Sequence, residues 1–322
     1  MRPPCARSAS TATNRILLAN NKPFDINMKI ASFNDFRVGI VDGSALYDMT
    51  DALPCFLDAM PRQRINFLIA QWDEFGPKLA DYKKDGTRLA LDAVRLRSPN
   101  PAPQHVFAAP ANYRKHIGEL GDRSVTPGGR SAREQGFFLK APGSLIGAGE
   151  PIVLPRGSAR RFDHESELAV VIGREARNVH RNDAMSYVFG YSCLIDVTMR
   201  IEKGVGEEER SMRKSFESFT PMGPYLVTAD EIARPDALRN RLWVNDKIRH
   251  QANTSEMIVG IAELIELVSS VLTLQPGDVI ASGTPEGVGP IQPGDALRIE
   301  LETVGSMSLQ VKECDARAPR PF

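Results

Sequence analysis

The chain has 322 residues, 42% of them hydrophobic and 25% charged, and its 40 basic and 40 acidic side chains cancel. The even charge argues against a general nucleic-acid binder, which shows a basic excess, and no run of roughly 18 apolar residues offers a membrane span. Cys5, Cys55, Cys193 and Cys314 are scattered without a CxxC pair, so neither a disulfide framework nor a zinc site is expected, and a reducing, cytoplasmic compartment fits.

Residues 1–27 carry Arg2, Arg7 and Arg15 and no acid before Asp25. They resemble a transit peptide only faintly and read as a tail, or as residues ahead of a start at Met28. Residues 28–98 read as a small α+β domain. Strands fall at 28–32 and 37–41, a third follows the Asp42-Gly43 turn, and a helix covers 65–84. The Pro-rich stretch RSPNPAP (97–103) reads as a linker and boundary. From 104 to 315 short strand signals recur between Gly and Pro breaks, which predicts a β-rich α+β domain built as a barrel or sandwich. Two helices interrupt it, at 112–120 and 257–272, with Ser255 as a candidate N-cap for the second.

Within FDHESELAVV (162–171), Asp163, Glu165 and Glu167 share one parity and project from one face of a strand. Stacked like charges repel and resist burial, so something must compensate them. The run LAVVI that follows is apolar on both faces, as in a core strand. Asp196 ends the apolar stretch YVFGYSCLI in the same way. Three acids at the ends of core strands can share one divalent cation, and an all-oxygen set favours Mg²⁺, Mn²⁺ or Ca²⁺ over zinc.

His116 and Glu119, three apart, share a helix face, and a carboxylate beside an imidazole makes it a better general base. Arg200 follows Asp196 by four and is placed to pair with a substrate carboxylate or with a metal ligand. GTPEGVG (283–289) is not a Walker motif and lacks a βαβ context. It reads as a tight turn that offers the Thr284 hydroxyl and backbone N–H groups to a carboxylate. The charged segment 201–213 reads as a loop near a pocket mouth. His105, His164, His180 and His250 have no evident partner, and parity turns His164 away from the Glu165 face.

Seven motifs then fall in order: NYRKHIGE (112–119), FFLKAPGSLIG (137–147), DHESELAVVIGREARNV (163–179), DVTMR (196–200), RKSFESFTPMGPYLVTADE (213–231), VNDKIRHQANTSEM (244–257) and LQPGDVIASGTPEGVG (274–289). Together they resemble the fumarylacetoacetate hydrolase family over about 105–312. The resemblance implies a β-roll or mixed β-sandwich catalytic domain after a small N-terminal domain, usually as a homodimer. It implies Mg²⁺ or Mn²⁺ on Glu165, Glu167 and Asp196, and a lid helix carrying His116 and Glu119. It also implies Lys214 stabilising an enolate, with Tyr113 and Lys140 at positions that border the pocket. The expected activity is hydrolysis of a C–C bond in a 2,4-dioxo acid such as fumarylpyruvate or maleylpyruvate. Oxaloacetate decarboxylation or dienedioate isomerisation is the rival within the family, and a non-catalytic metal- or metabolite-binding protein the rival outside it. Departures at Ile201, Lys203, Arg213 and Glu217 bear on substrate choice more than on the metal.

Overall fold

The structure, a computed structural model, describes residues 27–53, 56, 59–120, 130–201 and 209–316. Residues 1–26, Cys5, Cys55 and Lys203 lie outside them. In chain order the strands are β1 (Lys29–Phe33), β2 (Arg37–Asp42), β3 (Ala45–Asp48), β4 (Thr87–Ala90), β5 (Val106–Ala108), β6 (Phe138–Lys140), β7 (Leu145–Ile146), β8 (Ile152–Leu154), β9 (Phe162–His164) and β10 (Ser166–Ile172). They continue as β11 (Val188–Ile195), β12 (Thr198–Met199), β13 (Thr220–Thr228), β14 (Arg239–Val244), β15 (Lys247–Asn253), β16 (Val279–Ala281), β17 (Gly289–Ile291), β18 (Ala296–Leu301) and β19 (Gly305–Glu313). The helices are α1 (Arg64–Ala70), α2 (Trp72–Asp85), α3 (Arg114–Leu120), α4 (Ala132–Gln135), α5 (Arg181–Ala184), α6 (Arg210–Arg213) and α7 (Ile261–Val271).

A large mixed sheet runs β4-β3-β2-β1-β13-β11-β10-β16-β5-β6, with β7 beside β13. A five-stranded sheet runs β15-β14-β18-β19-β8, and a small one β12-β9-β17. Strand β10 sits between β11 and β16, and all seven of its residues are buried. Leu168, Val170 and Ile172 share a core with Leu242, Ile299 and Leu309 of the five-stranded sheet and with Leu264, Ile265 and Val268 of α7. Ala169 and Val171 meet Ile65, Leu68 and Trp72 of the N-terminal helices instead. A strand covered on both faces must be apolar at every position, which is why LAVVI loses the usual alternation.

Residues 28–98 continue this large sheet: β1 pairs antiparallel with β13 through Lys29↔Val227 and Ile30↔Leu226. The segment 97–103 is not a free linker. Ser98 and Asn100 are buried, and Asn100 Nδ2 donates to Gly277 O at 2.7 Å. The expected helix over 65–84 is two helices, since Gln71 leaves the helical region at φ −116° and ψ 28°. The helix expected from 257 begins at Ile261. Ser255 lies inside a 3₁₀ turn whose cap is Asn253, so it does not cap α7.

Candidate metal and active site

Sheet register assembles the acidic cluster. In the β10/β11 ladder Ser166 stands opposite Ile195 and Glu167 opposite Leu194, so Glu165 and Asp196 meet at its end. There the Asp196 N–H donates to Glu165 O at 2.8 Å. Glu165, Glu167 and Asp196 are buried, and each offers an oxygen within 4.8 Å of the others. Asp163, of the same parity, is bound elsewhere: Arg161 Nε donates to its Oδ1 and Arg200 Nε to its Oδ2, both at 2.7 Å.

Cations surround this cluster. Lys214 Nζ lies 2.8 Å from Glu165 Oε2, 2.5 Å from Asp196 Oδ2 and 2.6 Å from Thr198 Oγ1. Lys140 is expected to border the pocket, and the structure sets it against the acid cluster. It is fully buried, and its ammonium donates to Asp196 and to the carbonyls of Lys214 (2.5 Å) and Phe219 (3.1 Å). Of the two alternatives for Arg200, the structure shows the pairing with a cluster acid, with Nη2 2.6 Å from Glu165 Oε1. Burial would push the Glu165 carboxyl up, but Lys214 and Arg200 outweigh it and hold it far below the usual range. Glu167 accepts the Gly283 N–H at 2.7 Å and has no ion pair among the described residues. Burial, then the charges of Asp196 and Glu165, raise it well above the ordinary value.

That imbalance tests the fit of a metal. Three buried carboxylates face one point, and one of them lacks a cationic side chain. An all-oxygen donor set of this kind suits a hard divalent ion. Thr284 Oγ1 and Ser282 Oγ are buried without a hydrogen-bond partner among the described residues, so polar atoms are available next to the Gly283 turn.

Helix α3 carries His116, buried, with Nδ1 3.5 Å from Glu119 Oε2. Glu119 also accepts the Gly287 N–H at 3.1 Å. Burial pushes its carboxyl up, but His116 and Gly287 prevail and lower it. Tyr113 is buried at the start of this helix and bridges Met257. Burial, then the charge of Glu167, pushes its phenol up.

Other residues here are silent in local sequence. Asn112 donates to Val259 O and Ser282 O, both at 2.8 Å, and accepts from Val259 N at 2.8 Å, which ties the start of α3 to the Gly283 turn. The histidines correct the expectation of no partners. His164 Nδ1 and His250 Nε2 are 3.0 Å apart in the core, His105 Nδ1 is 3.1 Å from Asp278, and His180 Nε2 is 4.0 Å from Glu266.

Residues 105–312 match the family Fumarylacetoacetate (FAA) hydrolase C-terminal. The chain belongs to the fumarylacetoacetate hydrolase family. It is 46% identical over 291 residues to the maleylpyruvate hydrolase of Aquipseudomonas alcaligenes, covering 88% of this chain and 99% of that one. Its fold is similar to the crystal structure of maleylpyruvate hydrolase from Sphingobium sp. SYK-6, with a TM-score of 0.78, 36% identity, and 89% of this chain and 100% of that chain covered. A second structure of the Sphingobium protein, in complex with manganese (II) ion and pyruvate, gives a TM-score of 0.76 at the same identity, covering 89% of this chain and 99% of that one.

Proposed function

We propose that the chain is a divalent-metal-dependent hydrolase that splits an acylpyruvate, of the maleylpyruvate or fumarylpyruvate type, into pyruvate and a carboxylic acid. The buried Glu165/Glu167/Asp196 cluster carries the reading. Supporting it are the 46% identity to a maleylpyruvate hydrolase and the similar structure that holds manganese and pyruvate.

Glu165, Glu167 and Asp196 would hold Mn²⁺ or Mg²⁺, and the ion would supply Lewis-acid polarisation of the 2-oxo acid end of the substrate. His116 directs Nδ1 toward Glu119, which leaves Nε2 to take a proton from water. The water oxygen adds to the distal carbonyl. The bond between C3 and C4 then breaks, with its electron pair left on the three-carbon fragment as pyruvate enolate. All three Lys214 donors are engaged, so that residue offers the enolate its charge, while the Thr284 hydroxyl is available as a donor. Protonation at C3 gives pyruvate, and the water oxygen leaves in the carboxylic acid. Tyr113 and Lys140 act at one remove, as the wall beneath α3 and the anchor of Asp196. A homodimeric state and a cytoplasmic location belong to the same reading. No helix among the described residues is long and apolar enough to cross a membrane.

The test is Mn²⁺-dependent loss of 2,4-diketone absorbance with stoichiometric pyruvate, for maleylpyruvate and fumarylpyruvate against oxaloacetate. Pyruvate formed from oxaloacetate alone would replace hydrolysis with decarboxylation.

A further inference from the structure

We propose that Arg210 recognises a second, distal carboxylate on the acyl group, and so selects dicarboxylic acylpyruvates over those with a neutral acyl chain. This deepens the acylpyruvate reading and rests on it. Arg210 opens α6, which is docked on edge strand β6: Lys140 Nζ donates to Lys214 O, and Ala141 N to Ser215 Oγ at 2.9 Å. The Arg210 guanidinium lies 5.4 Å from the Phe138 ring centroid, and Lys214 Nζ lies 5.3 Å from the same centroid. The two cations are therefore separated by no more than the sum of those distances, and both lie against one aromatic ring. Lys214 touches the acid cluster, and Arg210, against the same Phe138 ring, is placed for the part of the substrate that extends away from the ion.

Arg210 makes no ion pair among the described residues. Arg161 and Arg200 are committed to Asp163 and Glu165. Arg210 has no carboxylate partner among the described residues, and Nη2 donates to the neutral Gln135 Oε1 at 3.2 Å. The side chain is half-buried, and burial lowers its pKa although Glu165, Glu209 and Asp196 act in the opposite sense. A partly desolvated guanidinium, held by a ring and steered by an amide, presents a fork that a carboxylate fills with two charge-assisted hydrogen bonds.

The experiment compares kcat/KM for maleylpyruvate and acetylpyruvate, with Mn²⁺, in the wild type, R210Q, R210K and Q135E. In R210Q the maleylpyruvate value falls roughly 10–100-fold, as expected for one charged hydrogen-bonding partner, mostly through KM. Acetylpyruvate falls far less, so the preference collapses. R210K restores part of the preference, and Q135E, which sets a competing carboxylate beside Arg210, mimics R210Q without touching the arginine. Equal losses on the two substrates, or an unchanged preference in both R210Q and Q135E, overturn the assignment to Arg210. A wild type that releases pyruvate from neither compound overturns the acylpyruvate reading and this assignment with it.

Discussion

The backbone N–H of Gly283 donates to Glu167 Oε2 at 2.7 Å and fixes one acid of the cluster against the turn that carries Thr284. Gly283 has φ +95°, and a Cβ there would meet Asn112 Cβ at 2.5 Å. Gly283→Ala is therefore expected to cost about 1–3 kcal/mol of stability. By disturbing a bond that orients Glu167, a proposed metal ligand, it should also weaken Mn²⁺ binding about 10–100-fold. Chemical denaturation and a Mn²⁺ titration followed by electron paramagnetic resonance check both effects. A variant that keeps wild-type stability and affinity would show that the turn has room to adjust.

Lys214 counterbalances Glu165 and Asp196 from a buried position. Removing one partner of a buried ion pair costs about 3–5 kcal/mol, because the charge left behind is uncompensated. Lys214→Met should lower the melting temperature of the metal-free protein, and Mn²⁺ should restore more of it than in the wild type. An equal metal-induced rise in both proteins would sink this role for Lys214.

His116→Gln is expected to lower turnover by ~10²–10⁴, the usual range for a general base, while Mn²⁺ affinity stays at the wild-type level. Glu119→Gln should cost less, since it alters the orientation and basicity of His116 rather than removing it. Asp196→Asn, by contrast, should lose both the metal and turnover. Metal binding and initial rates measured on one preparation separate the three; near-native turnover in the His116 variant would refute the base assignment.

The His164–His250 pair is expected to make stability fall in acid. Burial first, then the mutual charge, lowers His164 to about 2, and burial lowers His250 to about 4, from an ordinary 6.5. His250 faces the His164 ring, and His116, Glu165 and Glu119 act on it through charge. Because the folded values are depressed, the unfolded chain binds protons first as the pH drops below 6.5. Stability is full above that pH and is lost toward pH 4, at about 1.4 kcal/mol per pH unit for each histidine. His250→Gln should flatten this slope; urea unfolding at pH 7, 6 and 5 measures it, and an unchanged slope would contradict the account.

The sequence by itself carried the strand that LAVVI forms, the shared parity of Glu165 and Glu167, the terminal position of Asp196 and the helical spacing of His116 and Glu119. These are periodicities of two and of about 3.6 residues, set by neighbours along the chain. Tertiary structure decided which cation meets which acid, that 97–103 is packed rather than free, and that α7 starts at Ile261. It also paired His164 with His250 across 86 residues, drew Asn112 against Gly283, and left Arg210 without an acid among the described residues. Such contacts depend on register between strands far apart in sequence, and no local pattern of charge or hydrophobicity encodes that register.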